Sequence, residues 1–184
     1  MTDLTNTPSE SLDDDTTERV LDDTGSIPSV VSIVSDIVID TVAEEGAQLP
    51  LRKHYDDAGA DLHSFEDVLI PAGEQRMVGT GVSIKLPEGT VGFITPRSGL
   101  AGKHGLTVLN APGTVDAGYT GELKVILINH SKEDYTVNVG ERIAQLVVQP
   151  VLFPAFRSVE SLEPAGEGNG LPVRGAGGFG STGR

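Results

Sequence analysis

The chain has 184 residues, enough for one domain with tails, and it carries 27 Asp and Glu against 13 Lys and Arg, a formal net charge of −14. The absence of cysteine excludes disulfides, thiol catalysis and thiolate-held metals, and no apolar run is long enough to span a membrane or to follow a basic leader, so a soluble cytoplasmic protein without a membrane partner is expected. The acidic balance argues against nucleic acid held on a basic face; a polyanionic ligand would have to be met by specific Arg and Lys groups or by a cation.

Residues 1–30 hold eight carboxylates against Arg19 alone, a net −7, so half of the excess charge lies in the first sixth of the chain. With so few apolar groups this acidic N-terminal extension is expected to be disordered. A folded β domain is expected over 31–162, opening with the β-branched run Ser29–Val42 as a strand. Aromatic residues make up only 4% of the chain and Trp is absent, so the core must be built from Val, Ile and Leu.

Strands and turns then alternate, without a helical stripe longer than two turns. Ala58–Phe65 reads as a tight turn entering a strand. Val82, Ile84 and Leu86 alternate with Ser83 and Lys85, the period-2 signature of a half-buried strand. Val91–Thr95 and Tyr135–Val139 read as further strands. Arg142–Val151 is nearly continuous apolar, as in a strand buried on both sides. Short strands at this spacing predict an all-β barrel or jelly roll. From 163 onward core-building residues are scarce. Ala165–Arg184 contains eight Gly in twenty residues, so the C-terminal segment 163–184 reads as a flexible arm, yet Arg174 and Phe179 stand among its glycines, and such a backbone can wrap an anion.

Between the strand-like stretches Thr107–Asn110 and Glu122–Asn129 lies Asn110–Gly121, NAPGTVDAGYTG. It reads as the tip of a β-hairpin with one carboxylate, Asp116, and one aromatic, Tyr119. Two readings stand at this point. An open tip suits a flat ring laid against backbone amides with Tyr119 as a lid; alternatively, the Asp caps an ordinary turn.

Five short motifs stand in order: AGADLHS (58–64), PRSGLA (96–101), NAPGTVDAGYTGE (110–122), GERIAQLV (140–147) and RGAGGFGSTG (174–183). Together they resemble the trimeric dUTP pyrophosphatase (dUTPase) family of bacterial type, from about residue 36 to the C-terminus. The resemblance implies a jelly-roll-like β barrel, a homotrimer whose active sites lie at subunit interfaces, and a C-terminal arm exchanged between subunits. It also implies hydrolysis of dUTP to dUMP and pyrophosphate with Mg²⁺, which supplies dUMP for dTTP synthesis and keeps uracil out of DNA.

Carried onto this chain, the family pattern makes Asp116 the base for water attack on the α-phosphorus and Gln145 the residue that helps hold that water. Asn110 and the backbone around Thr114 and Val115 would bind the uracil edge. Tyr119 would pack under the sugar and exclude a 2′-hydroxyl. Arg97, Ser98, Gly99, Arg142 and Arg174 would meet the phosphates, with Lys124 near the substrate. Asp61 would position Mg²⁺ through its water shell. Phe179 would stack on the uracil as the arm closes, with Gly180, Ser181 and Thr182 beside it and the two hydroxyls on the γ-phosphate. In isolation, Arg142 also suits a surface ion pair with Glu141 or Glu122, and Lys124 a solvated strand position. The four His show no metal spacing and read as surface or structural.

Two other functions share this fold. A dCTP deaminase would need a second Ser where Gly99 stands and an acid nearby; residues 97–106 supply neither. A non-catalytic nucleotide-binding regulator would be expected to lack Asp116, Arg174 or Phe179, and all three are present. Thr120 stands where many family members carry Arg.

Overall fold

The computed structural model describes residues 37–162. The acidic extension 1–30, the start of the expected domain and the arm from 163 lie outside the described residues. Two four-stranded antiparallel sheets and a two-stranded ribbon make a jelly-roll-like β architecture. The first sheet has the order β1 (Asp40–Ala43), β4 (Gln75–Lys85), β8 (Glu122–Asn129), β6 (Leu106–Val108). The second has the order β2 (Ala60–His63), β10 (Arg142–Pro150), β5 (Thr90–Thr95), β7 (Gly113–Asp116), and β3 (Val68–Ile70) pairs with β9 (Tyr135–Val137).

The expected strand over 29–42 is regular only from Asp40 within the described residues, where it pairs with the end of β4. In β4 the alternation holds: Val82, Ile84 and Leu86 are buried and Lys85 is exposed. The same strand runs seven residues further back than its pattern suggests, because Gln75, Arg76 and Met77 sit exposed and break the alternation. A single core joins both sheets and the ribbon: Leu62, Ile70, Val78, Leu123, Leu127, Val137 and Ile143 are all at most 1% exposed. No aromatic side chain is among these buried core residues, as the composition requires.

Asn129, fully buried at the end of β8, ties three segments together. Its Nδ2 donates to the carbonyls of Ile70 (3.0 Å) and Glu133 (2.8 Å), and its Oδ1 accepts from the Ser131 N–H (2.9 Å) and Oγ (2.8 Å). A buried amide is tolerated because its hydrogen-bonding capacity is met.

One local reading is corrected. Residues 107–129 are not a simple hairpin: β6 and β8 do pair, but the connection leaves their sheet and adds β7 to the edge of β5 in the other sheet. The PRSG stretch opens a short helix, α1 (Ser98–His104). Only Leu100 anchors it in the core, and Gly105, at φ +66°, ends it by donating to Leu100 and Ala101 carbonyls.

Candidate active site

Two clefts hold the described residues among those singled out from the sequence. The first, about 340 Å³, lies where β2, β10 and the end of β5 meet α1, and is lined by Asp61, Arg97, Ser98, Gly99, Arg142 and Gln145 together with Lys53, His54 and Asp57. Its construction depends on an irregularity in β10. Between Arg142 and Ala144 the register against β2 shifts, and Ile143 and Ala144 are both buried although they are consecutive. In a regular strand, residues 142 and 145 would point to opposite faces. The shift puts both on the outer face, next to Asp61, which is paired with Gln145 across the ladder.

Asp61 uses both oxygens: Oδ1 lies 3.0 Å from Arg97 Nε and Oδ2 lies 3.0 Å from Arg142 NH1. Arg97 also donates to the Arg142 carbonyl at 2.8 Å. Arg142 therefore pairs with Asp61, not with the Glu141 or Glu122 considered from its sequence neighbourhood. One carboxylate facing two guanidiniums leaves a net positive cleft, and the arginine N–H groups not used by Asp61 or the Arg142 carbonyl remain available to an anion. Ser98 and Gly99, both exposed, open α1 with unpaired backbone N–H groups. The Gln145 amide is held by donation to the Pro96 carbonyl at 3.2 Å and packs on the bare α-carbon of Gly59; a Cβ there would lie 2.8 Å from Gln145 Oε1.

The second cleft, about 310 Å³, lies between β7 and β8 and is lined by Asn110, Thr114, Val115, Asp116, Tyr119 and Lys124, with Glu122 and Met77. In β7 Gly113 and Val115 face the core while Thr114 and Asp116 face outward. β7 pairs only with β5 among the described residues and so is an edge strand. Its outer N–H and C=O groups are free to read a ligand, as an edge strand allows. The Tyr119 N–H donates to the Asp116 carbonyl at 3.0 Å, which ties the aromatic to the carboxylate through one turn. Lys124 lies 3.2 Å from Glu122. Burial would raise the Glu122 carboxyl, but the Gly81 N–H and Lys124 hold it below its ordinary value.

Among the described residues, none lines both clefts. Arg174, Phe179, Gly180, Ser181 and Thr182 lie outside the described residues. Lys53 and His54 were not singled out from the sequence; they stand just before AGADL, and the bridge between Leu51 and Asp61 holds the preceding segment against β2 beside the cleft. His54 bonds Asp57 (2.8 Å from its N–H), His104 and His130 are exposed, and His63 is half-buried with its Nδ1 lacking a partner among the described residues. No group of three or more His, Asp or Glu poised to hold a metal occurs among the described residues, and no helix among them is long and apolar enough to cross a membrane.

The fold and its clefts define a small antiparallel β protein with one guanidinium-lined cleft suited to an anion and a second in which a carboxylate and an aromatic flank an edge strand. Comparison with known proteins places it more closely. A family model described as dUTPase matches residues 45–183, and the chain belongs to the dUTPase family. It is 55% identical over 136 residues to a deoxyuridine 5′-triphosphate nucleotidohydrolase of Rhodococcus erythropolis, covering 73% of this chain and 79% of that one. It is 48% identical over 174 residues to that of Thermobifida fusca, covering 89% and 93%. Among solved structures, a Staphylococcus bacteriophage 80alpha dUTPase mutant with dUpNHpp superposes with a TM-score of 0.71 at 31% identity, covering 80% of this chain and 99% of that chain. A phage phi11 dUTPase mutant, described with a structural Mg(II) ion, does so at 0.65 and 30%, covering 69% and 99%.

Proposed function

We propose that this chain hydrolyses dUTP to dUMP and pyrophosphate, acting as a dUTP diphosphatase in the cytoplasm. The observation that carries the reading is the pairing, on a chain of this family, of an arginine-lined cleft ordered by Asp61 with a separate cleft in which Asp116 stands beside a free backbone edge.

In this reading the edge of β7 around Thr114 and Val115, with Asn110, binds the uracil ring by donors and acceptors that cytosine would leave mismatched, a difference of about a hundredfold or more. Tyr119 packs under the deoxyribose. Arg97 and Arg142, with Ser98 and Gly99, take the phosphates, and Arg174 joins them from the arm. Gln145 and Asp116 handle the water: its oxygen attacks the α-phosphorus, its proton passes to Asp116, and the bond to the bridging oxygen of the β-phosphate breaks to release pyrophosphate. Phe179, Gly180, Ser181 and Thr182 close over the nucleotide.

Asp61 suits Mg²⁺ in one respect: it is a carboxylate beside the cations that would hold the phosphates, and Mg²⁺ is commonly bound by one or two carboxylates plus substrate phosphates. With both oxygens already facing guanidiniums, Asp61 would act through water. When bound, the ion would neutralise charge on the phosphates and the departing pyrophosphate.

No described residue lines both clefts, and in this reading the two halves of one site come from different copies of the chain. A homotrimer in which one copy's Asp116 cleft meets a neighbour's arginine cleft would complete it, with the arm supplied by exchange. The large apolar side chains left exposed, Leu51, Phe153 and Phe156 among them, are surface that such an assembly would cover. The deciding experiment is pyrophosphate release from dUTP, UTP, dCTP and dTTP with Mg²⁺, wild type beside Asp116→Asn, with mass measured in solution. Release from dUTP alone by a trimer, lost in the variant, is expected; a folded trimer that releases pyrophosphate from none of them rejects the proposal.

A further inference from the structure

Tyr119 is 46% exposed, yet its ring is not left to solvent: the hydroxyl donates to the backbone carbonyl of Glu122 at 2.9 Å, folding the ring back along the chain that enters β8. Water would satisfy an exposed phenol equally well, so this bond fixes a position. The fold-back needs Gly121. A Cβ built on that glycine would lie 2.6 Å from Tyr119 Oη, 2.8 Å from Cζ and 3.1 Å from Cε2. Real Cβ atoms do not approach so closely, so any side chain at 121 must expel the ring.

The accepting carbonyl is itself anchored. The Glu122 carboxylate takes the Gly81 N–H at 3.0 Å, at the register shift of β4 between Gly79 and Ser83, and pairs with Lys124 at 3.2 Å. Gly79 leaves room for it, since a Cβ there would lie 2.7 Å from Glu122 Oε1. The neighbouring Leu123 carbonyl accepts from buried Thr80 Oγ1 at 2.7 Å. The ring is thereby fastened, through Glu122, to the β4 irregularity in the opposite strand of the sheet.

We infer that Gly121 and Glu122 are positioning residues for sugar selectivity, holding the Tyr119 ring in the one place where it leaves no room for a 2′-hydroxyl. This rests on the dUTP reading above. Side chains that only terminated a turn would leave discrimination between deoxyribose and ribose unaltered; residues that hold the ring set it.

The test compares wild type, Gly121→Ala, Tyr119→Phe and Glu122→Gln by kcat/KM for dUTP and for UTP, with thermal melts, and places 3-fluorotyrosine in wild type, Gly121→Ala and Glu122→Gln to follow the ring by ¹⁹F NMR. In Gly121→Ala the preference for dUTP over UTP is expected to fall by about tenfold or more, with the Tyr119 resonance displaced and the protein still folded. Tyr119→Phe, which keeps the ring and loses the donor, and Glu122→Gln, which weakens the anchor, are expected to move the preference the same way by less. An unchanged preference, or an unmoved Tyr119 resonance, in folded Gly121→Ala overturns the inference. If the wild type hydrolyses neither nucleotide, the functional reading falls, and the fluorine resonance alone decides whether Gly121 and Glu122 hold the ring.

Discussion

The Asp61 carboxylate on β2 holds the Arg142 guanidinium on β10 at 3.0 Å, although the strand ladder sets Arg142 opposite His63 and sets Asp61 opposite Gln145. The register shift at Ile143–Ala144 makes the contact possible, and Arg97 shares the same carboxylate. Replacing Asp61 by Asn keeps the shape and removes the charge that orders both arginines. We expect kcat/KM for dUTP to fall about tenfold to a hundredfold, mainly through KM, with a raised Mg²⁺ requirement. Steady-state kinetics over a Mg²⁺ series checks this.

Asp116 is exposed on an edge strand, so its replacement should leave the fold intact. For Asp116→Asn a loss of about 10²- to 10⁴-fold in kcat is expected, the range of a positioned general base. Circular dichroism and melting beside the kinetics separate this from unfolding.

Gly59 contributes by having no side chain. In Gly59→Ala the new methyl would meet Gln145 Oε1 at 2.8 Å and drive the amide off its bond to the Pro96 carbonyl. A fall in kcat of about tenfold with little change in KM is expected on the proposed role of Gln145, since displacing a group that holds the attacking water affects the reacting geometry more than nucleotide affinity. A fall in affinity with unchanged kcat would contradict it.

Tyr135 is pushed up to about 12 by burial and by the Glu141 carboxylate that accepts a hydrogen bond from its hydroxyl. A raised folded-state value means that the neutral phenol is favoured by folding. The contribution is complete below the unfolded value near 10 and is lost as pH climbs from about 10 to 12. Denaturant melts should show stability falling across that alkaline window, and the fall should be shallower in Tyr135→Phe.

Asn129→Ala removes two donors and two acceptor contacts from a fully buried position, taking a donor from the Ile70 carbonyl and leaving the Glu133 carbonyl with the Ser131 hydroxyl alone among its side-chain donors. A destabilisation of about 3 kcal/mol is expected in urea unfolding, with little effect on the kinetics of the folded enzyme.

Much was legible in the linear order. Alternation at Val82, Ile84 and Leu86 reports a strand because period 2 is a local property of extended backbone. A core of Val, Ile and Leu follows from the near absence of aromatics. The five spaced motifs carried the family resemblance, and the family model that matches 45–183 agrees with it. What tertiary structure alone decided depends on partners distant in sequence. The α1 helix has two glycines and one core anchor, so its propensity is weak, and it exists because Leu100 finds a pocket and Arg97 is held by Asp61. The place of β7 depends on the strand it joins, and pairing with β5 instead of closing a local hairpin is a choice between sheets that local pattern does not encode. The outward turn of both Arg142 and Gln145 runs against simple alternation and arises from one extra residue in β10 packing into the core. Identity of residues sets which chemistry is available; the bulge and the edge decide which of those residues can face the same ligand.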